Sequence, residues 1–191
     1  DELVICVDEK SKQLLEQLRT PIPASPGHPV KEDCEYKRAG TRNIFMAVEP
    51  KGGCRQVEVT TRRTKGDFVQ FIGHLVKKVS VRARKIHLVL DNLNTHFRSS
   101  FEEILGVKEA TQMLERVEFH YTPKHASWLN MAEIEIGIMD RQCTGCRIPN
   151  EQTLRSEVAA WSDRRNQANS TIDWKFTRQD ADQKLSRHYV S

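Results

Sequence analysis

Phe68, Phe71, Ile72, Leu75, Val76 and Val79 recur at the spacing of one helical face, and this stripe constrains the fold of the 191-residue chain more than any other feature. Thr64 and Asp67 precede it at the spacing of a capping box, so the helix starts near residue 65. An apolar stripe needs a surface to cover, and strand-like segments flank it. "IFMAVEP" and "CRQVEVT", joined by "KGG", predict a β-hairpin with a glycine turn. "LVICV" at 3–7 and the run at 85–90 predict two buried strands.

The remaining segments extend this pattern. "KSKQLLEQL", after Asp8 and Glu9, predicts a short helix. Residues 19–43 hold four of the seven prolines and predict a long loop or arm. A helical region is expected over 98–115, then a strand in "VEFHYTP" stopped by Pro123, and a helix starting near Asn130. Leu154, Val158 and Trp161 mark one face of a helix over 151–166, and "TRQD" starts a last short helix after Thr177. Three strands followed by alternating helices and strands give an α/β fold, a ribonuclease H-like mixed sheet flanked by helices. The expected organisation is a core over 1–145 that includes the arm, with a helical C-terminal tail over 146–191 packed on it.

Composition excludes some classes. Charged residues at 29% and apolar residues at 38% are too balanced for a disordered chain. No apolar run approaches the roughly 20 residues of a membrane helix, and the opening "DELVICVDEK" is strand-like rather than a signal peptide. Because the chain opens directly on a strand, a fragment cut just before the domain's first strand is expected. Five cysteines at irregular spacing suggest reduced thiols in an intracellular protein. The net charge of +4, with basic runs at 60–65 and 77–85, permits a polyanionic partner without requiring one.

Three acids stand out by position. Asp8 follows the first strand, Asp91 ends the strand "HLVL", and Glu133 lies in the first turn of the helix near Asn130. Acids at neighbouring strand tips, with a third on a packed helix, would cage hard divalent cations, which prefer oxygen ligands. Taken singly, each also suits a structural role as turn former, cap or partner of the helix dipole. "CTGC", Cys143 to Cys146, has metal-ligand spacing, but only the distant His120 and His125 could complete a zinc site.

"VDE", "EYKRAGTRNIF", "HLVLDNLNTH" and "YTPKHASWLNMAE" occur in that order and closely resemble the DDE catalytic domain of insertion-sequence transposases in the mariner-like superfamily. The resemblance runs on to "WKFTRQDA". It implies that Asp8, Asp91 and Glu133 are the catalytic, metal-binding acids, Glu133 standing three positions after Asn130 as in the family's asparagine-x-x-glutamate motif. Two departures are visible. Between Asp91 and Glu133 lie 41 residues, more than in tighter members, which places an insertion before "VEFHYTP". The aromatic residue that many relatives carry after the glutamate is missing from "EIEIGIMD", which raises Glu135 as a rival. On a helix the two glutamates point roughly 200° apart, so only one can face the site.

The resemblance implies DNA cleavage at transposon ends and strand transfer into target DNA, with Mg²⁺ (Mn²⁺ as substitute), as two ions. It also implies a homodimer in the active complex and a cytoplasmic location, at the bacterial nucleoid when DNA-bound. The family's helix-turn-helix modules are not visible here, so weak DNA binding with little sequence preference is expected. Another ribonuclease H-like nuclease and a catalytically silent, domesticated DNA-binding protein remain open. Near the acids, Glu9, Asn92 and His96 are candidates to support the metal ligands or to position water or phosphate, with a surface or helix-start role as the alternative for His96. Lys37, Arg38 and Arg42 on the arm, with His125 and Trp128 beside the third acid, are candidate DNA contacts; solvated charge and packing are their alternatives.

Overall fold

The computed structural model describes residues 2–124 and 126–189. Five strands form one sheet in the order β3-β2-β1-β4-β5. They are β1 (Glu2–Gln17), β2 (Tyr36–Glu49), β3 (Cys54–Thr60), β4 (Lys85–Leu90) and β5 (Val117–Tyr121). The first three make an antiparallel meander, whereas β4 runs parallel to β1 and β5 parallel to β4. A mixed sheet with helices on its faces is what the sequence pattern predicts.

The apolar stripe forms α1 (Lys65–Val79), and its predicted capping box is present: Thr64 and Asp67 exchange side-chain and backbone hydrogen bonds. It covers one face of the sheet, where its phenylalanines meet Ile5, Val7, Phe45, Ala47, Ile86, Leu88 and Leu90. Phe101 of α2 (Arg98–Leu105) and Ala110 of α3 (Val107–Met113) close the same core. The other face lies under α4 (Met131–Met139) and α5 (Glu151–Gln167), with Trp161, Val158 and Leu154 packed on Leu14, Ile44 and Met46. Residues alternate between the two cores along β2, as a strand buried on both faces requires. A last helix, α6 (Arg178–Tyr189), starts after Thr177, whose hydroxyl and amide bond Asp180.

Two sequence expectations give way. "KSKQLLEQL" is not a helix: β1 continues to Gln17, with Lys10 paired to Ile44 and Gln17 to Tyr36. Pairing with β2 overrides the local helical preference, because every residue but Leu14 gains a ladder partner and Leu14 reaches the second core at a bulge between Gln13 and Leu15. The arm is correspondingly shorter. Its last third, from Tyr36, is strand; the connecting loop is residues 18–35, held by isolated bridges at Ile22–Lys31 and Ser25–His28.

Candidate active site

The parallel pairing of β1 and β4 brings the first two acids together. Cys6 pairs with Val89, and two residues further along each strand come Asp8 and Asp91, on the same face. Asp8 lies within the long β1 rather than after it, whereas Asp91 follows directly on β4. The third acid arrives by a capping interaction. Asn130 is the N-cap of α4, accepting from the Ala132 amide at 3.2 Å, and its buried Nδ2 donates to the Val7 carbonyl at 2.8 Å. The first turn of α4, with Glu133, is thereby stitched to the peptide just before Asp8.

The three acids share one end of the sheet, but their carboxylate oxygens do not all lie within 4.8 Å of one another; their proximity is electrostatic. The Asp8 carboxyl is pushed up to about 7, chiefly by burial; the charges of Asp91, Glu9 and Glu133 add to it, against the Glu9 amide that donates to Asp8 Oδ1 at 2.8 Å. Like charges gathered around a half-buried carboxyl favour either a proton or a cation. An all-oxygen donor set of this kind fits a hard divalent ion such as Mg²⁺ or Mn²⁺.

His96 is fully buried and bridges two acids. Its Nδ1 lies 2.6 Å from Asp91 Oδ1 and its Nε2 2.7 Å from Glu9 Oε2. Burial opposes charging the ring, but the two carboxylates outweigh it and raise the pKa to about 9. The ring is therefore an imidazolium that donates from both nitrogens. The ring of Phe68 in α1 packs against it at 4.6 Å. Burial disfavours the Asp91 charge, but His96 and the Leu93 amide hold its carboxyl below the usual range. Both of those bonds fall on Oδ1, which leaves Oδ2 without a protein partner among the described residues. Glu9 points to the opposite face of β1 from Asp8, its carboxylate almost wholly buried, with Arg63 Nη1 at 3.7 Å.

Glu135 has a different occupation. Its fully buried carboxylate receives Arg55 Nε at 2.6 Å and Arg165 Nε and Nη2 at 2.9 and 3.1 Å. This pairing ties α4 to β3 and α5 and takes Glu135 away from the acid cluster.

The other predicted residues separate. Asn92 is exposed and its amide donates to the Thr122 carbonyl, joining the ends of β4 and β5. Lys37 pairs with Glu16 at 3.0 Å, and Arg42 pairs with Glu151 at the start of α5. Arg38 is exposed on the β1–β2 hairpin, eight residues along β2 from Met46, the partner of Asp8; that is about 27 Å at strand spacing. Trp128 packs edge-on to Phe176 at 5.1 Å, with Lys184 over its ring, so the C-terminal segment covers it. His125 lies outside the described residues. Among the described residues, no three-residue metal-ligand group forms around Cys143 and Cys146; burial pushes the Cys143 thiol up to about 11, and all five cysteines are free.

Sequence reasoning registered the basic run at 60–65 but did not single out Arg63. It also placed His96 beside Asp91 without anticipating that Glu9 would hold its other nitrogen. That contact depends on the parallel pairing of β1 and β4, which brings the turn after β4 against Glu9 and which no local pattern encodes.

The strand order, the mixed pairing and the helices on both faces define a ribonuclease H-like fold. Residues 3–155 match the family model described as DDE superfamily endonuclease, and the chain belongs to that family. No curated protein sequence matches it. Among solved structures, the chain is similar to the catalytic domain of Mos1 mariner transposase, with 9% identity and a TM-score of 0.54 over 87% of this chain and 74% of that one. It is also similar to the Mos1 mariner paired end complex with Mn, at 12% identity and a TM-score of 0.54, covering 87% of this chain and 51% of that one. The Mos1 strand transfer complex gives 12% identity and a TM-score of 0.53, covering 84% and 47%. The chain thus spans about half the length of the proteins in those two complexes. No helix among the described residues is long and apolar enough to cross a membrane.

Proposed function

We propose that this chain is the catalytic domain of a transposase that cuts DNA at element ends and joins the freed 3′-hydroxyl to target DNA. Asp8, Asp91 and Glu133 would hold two Mg²⁺ ions, with Mn²⁺ as substitute. The observation that carries the reading is the Asp8 carboxyl, pushed up to about 7 by burial and by neighbouring carboxylates, at a point where two strands and a capped helix converge. Bound there, divalent cations supply the charge that activates an attacking hydroxyl and offsets the leaving oxygen.

The protein's own groups set the stage for that chemistry. His96 fixes the orientation of Asp91 by occupying Oδ1, and Glu9 holds the imidazolium from behind. Asn130 sets the height of Glu133 against Asp8. Arg63, with a side chain 59% exposed, stands beside this group and is placed to meet a DNA phosphate. Joining two ends requires two copies of the chain, and the work takes place on cytoplasmic DNA, at the nucleoid of a bacterial host.

The test is a plasmid assay with Mg²⁺ or Mn²⁺. Nicking, and joining of a supplied 3′-hydroxyl oligonucleotide, are both expected, each reduced at least about a hundredfold in Asp91→Asn. Nicking without joining, or activity confined to RNA–DNA hybrids, would favour a different ribonuclease H-like nuclease. DNA binding with neither reaction would favour a silent DNA-binding protein.

A further inference from the structure

A second cluster of metal-ligand side chains lies on the outer part of the sheet. His87 of β4 pairs in register with Glu118 of β5, and His120 stands two residues further along β5, so all three project from the same face. His87 Nδ1 and His120 Nε2 are 2.9 Å apart. The Glu118 carboxylate completes a triangle, with Oε1 3.6 Å from His120 Nε2 and Oε2 3.9 Å from His87 Nδ1. The ligand atoms of the three residues lie within 4.8 Å of one another.

We propose that His87, His120 and Glu118 form a transition-metal site of the Zn²⁺ class, separate from the acid cluster. The donor set decides the class of ion. Two imidazoles and one carboxylate suit Zn²⁺, whereas Mg²⁺ prefers oxygen alone. The geometry needs little change. A tetrahedral ion at about 2.0–2.1 Å from both nitrogens would set them roughly 3.3 Å apart. The rings would separate by a few tenths of an ångström, and the proton they now share would leave. Behind His87, Glu2 Oε2 lies 3.4 Å from Nε2, so a carboxylate stands where it can orient a ligating imidazole through its other nitrogen.

One neighbour opposes the ion. Lys85, in the same row of β4, pairs with the Glu118 carboxylate. A metal must displace that ammonium, which makes Lys85 a handle on the affinity. The site lies on the same sheet face as Asp91, four residues back along β4, at about 13 Å by strand spacing. It is therefore too far away to share an ion with the acids.

The experiment is Zn²⁺ titration calorimetry of the whole chain in excess Mg²⁺. Wild type should bind one Zn²⁺ per chain. His87→Gln/His120→Gln should bind at least about tenfold more weakly, while Cys143→Ser/Cys146→Ser and Asp91→Asn should bind as wild type. Lys85→Ala should bind several-fold more tightly, a gain that misfolding cannot mimic. The proposal is overturned if wild type takes up no Zn²⁺ or if the double histidine variant binds unchanged. Loss of binding in the cysteine or Asp91 variant, or no gain in Lys85→Ala, overturns it equally.

Discussion

Asn130 Nδ2 donates to the Val7 carbonyl at 2.8 Å, so the helix that presents Glu133 is anchored one residue before Asp8. The same side chain caps that helix through the Ala132 amide. Both partners are buried, and neither contact can be replaced by water without rearrangement.

Asn130→Ala should therefore cost about 1 kcal/mol for the cap and a further 1–3 kcal/mol for the orphaned Val7 carbonyl. Urea denaturation would read the sum. If metal-dependent nicking falls by much more than the fraction unfolded, Asn130 positions Glu133; a loss that tracks stability alone would reduce it to a structural cap.

The acid cluster should make the metal-free protein less stable as pH rises. Asp8 titrates near 7 when folded but near 3.8 when unfolded, so its ionisation opposes folding. The penalty begins above about pH 4 and is complete above about pH 7. It should be on the order of 2 kcal/mol or more after discounting for screening of a partly exposed group. Asp8→Asn should raise the melting temperature of the metal-free protein at pH 8 and leave it nearly unchanged at pH 4. Mn²⁺ should stabilise wild type more at pH 8 than at pH 5.5 and should lose that effect in the variant.

His96 adds a second, separable window. Its folded pKa of about 9 exceeds the ordinary 6.5, so its contribution to stability is fully present below pH 6.5 and disappears as pH rises through 9. His96→Gln should flatten the stability profile between those values. NMR of the imidazole protons tests the cause directly: a ring that titrates near 6.5 would contradict the double carboxylate bridge.

Glu135→Gln should destabilise the fold by about 3–5 kcal/mol, because it leaves Arg55 and Arg165 facing a neutral group inside the protein. Mn²⁺ affinity of the fraction that remains folded should be unchanged. A large loss of affinity would return Glu135 to candidacy as a metal ligand.

Arg63→Ala should weaken DNA binding for all sequences alike and lower the slope of log K against log salt by about 1. Filter binding across a salt series measures it. An unchanged slope would mean that Arg63 serves only its neighbour Glu9.

Much of this was legible in the chain. The stripe of α1 and the hairpin "IFMAVEP"–"CRQVEVT" carry their periodicities openly, and Asp91 directly follows an unmistakable buried strand. For the third acid the motif spacing favours Glu133, whose role is part of the proposal; Glu135 is engaged by Arg55 and Arg165. What failed was local reasoning about segments governed by distant partners. Residues 10–17 have a helical composition, yet they pair with residues 19 to 34 positions away. The contact of Glu9 with His96 joins positions 87 residues apart, and the pairing of His87 with Glu118 exists only because two parallel strands align.

The long first strand has a mechanical side. No loop interrupts β1 between Asp8 and Gln17, so the projecting hairpin and the acid share one strand, its pairing shifted only at the bulge between Gln13 and Leu15. A load applied near Tyr36 would travel down it like force along a lever. The bulge at Leu14 is the fulcrum: its side chain is sunk in the second core, and the next amide, that of Leu15, is bonded to the Ile148 carbonyl at 2.8 Å. The strand is thus fastened to the body of the protein between the hairpin tip and Asp8.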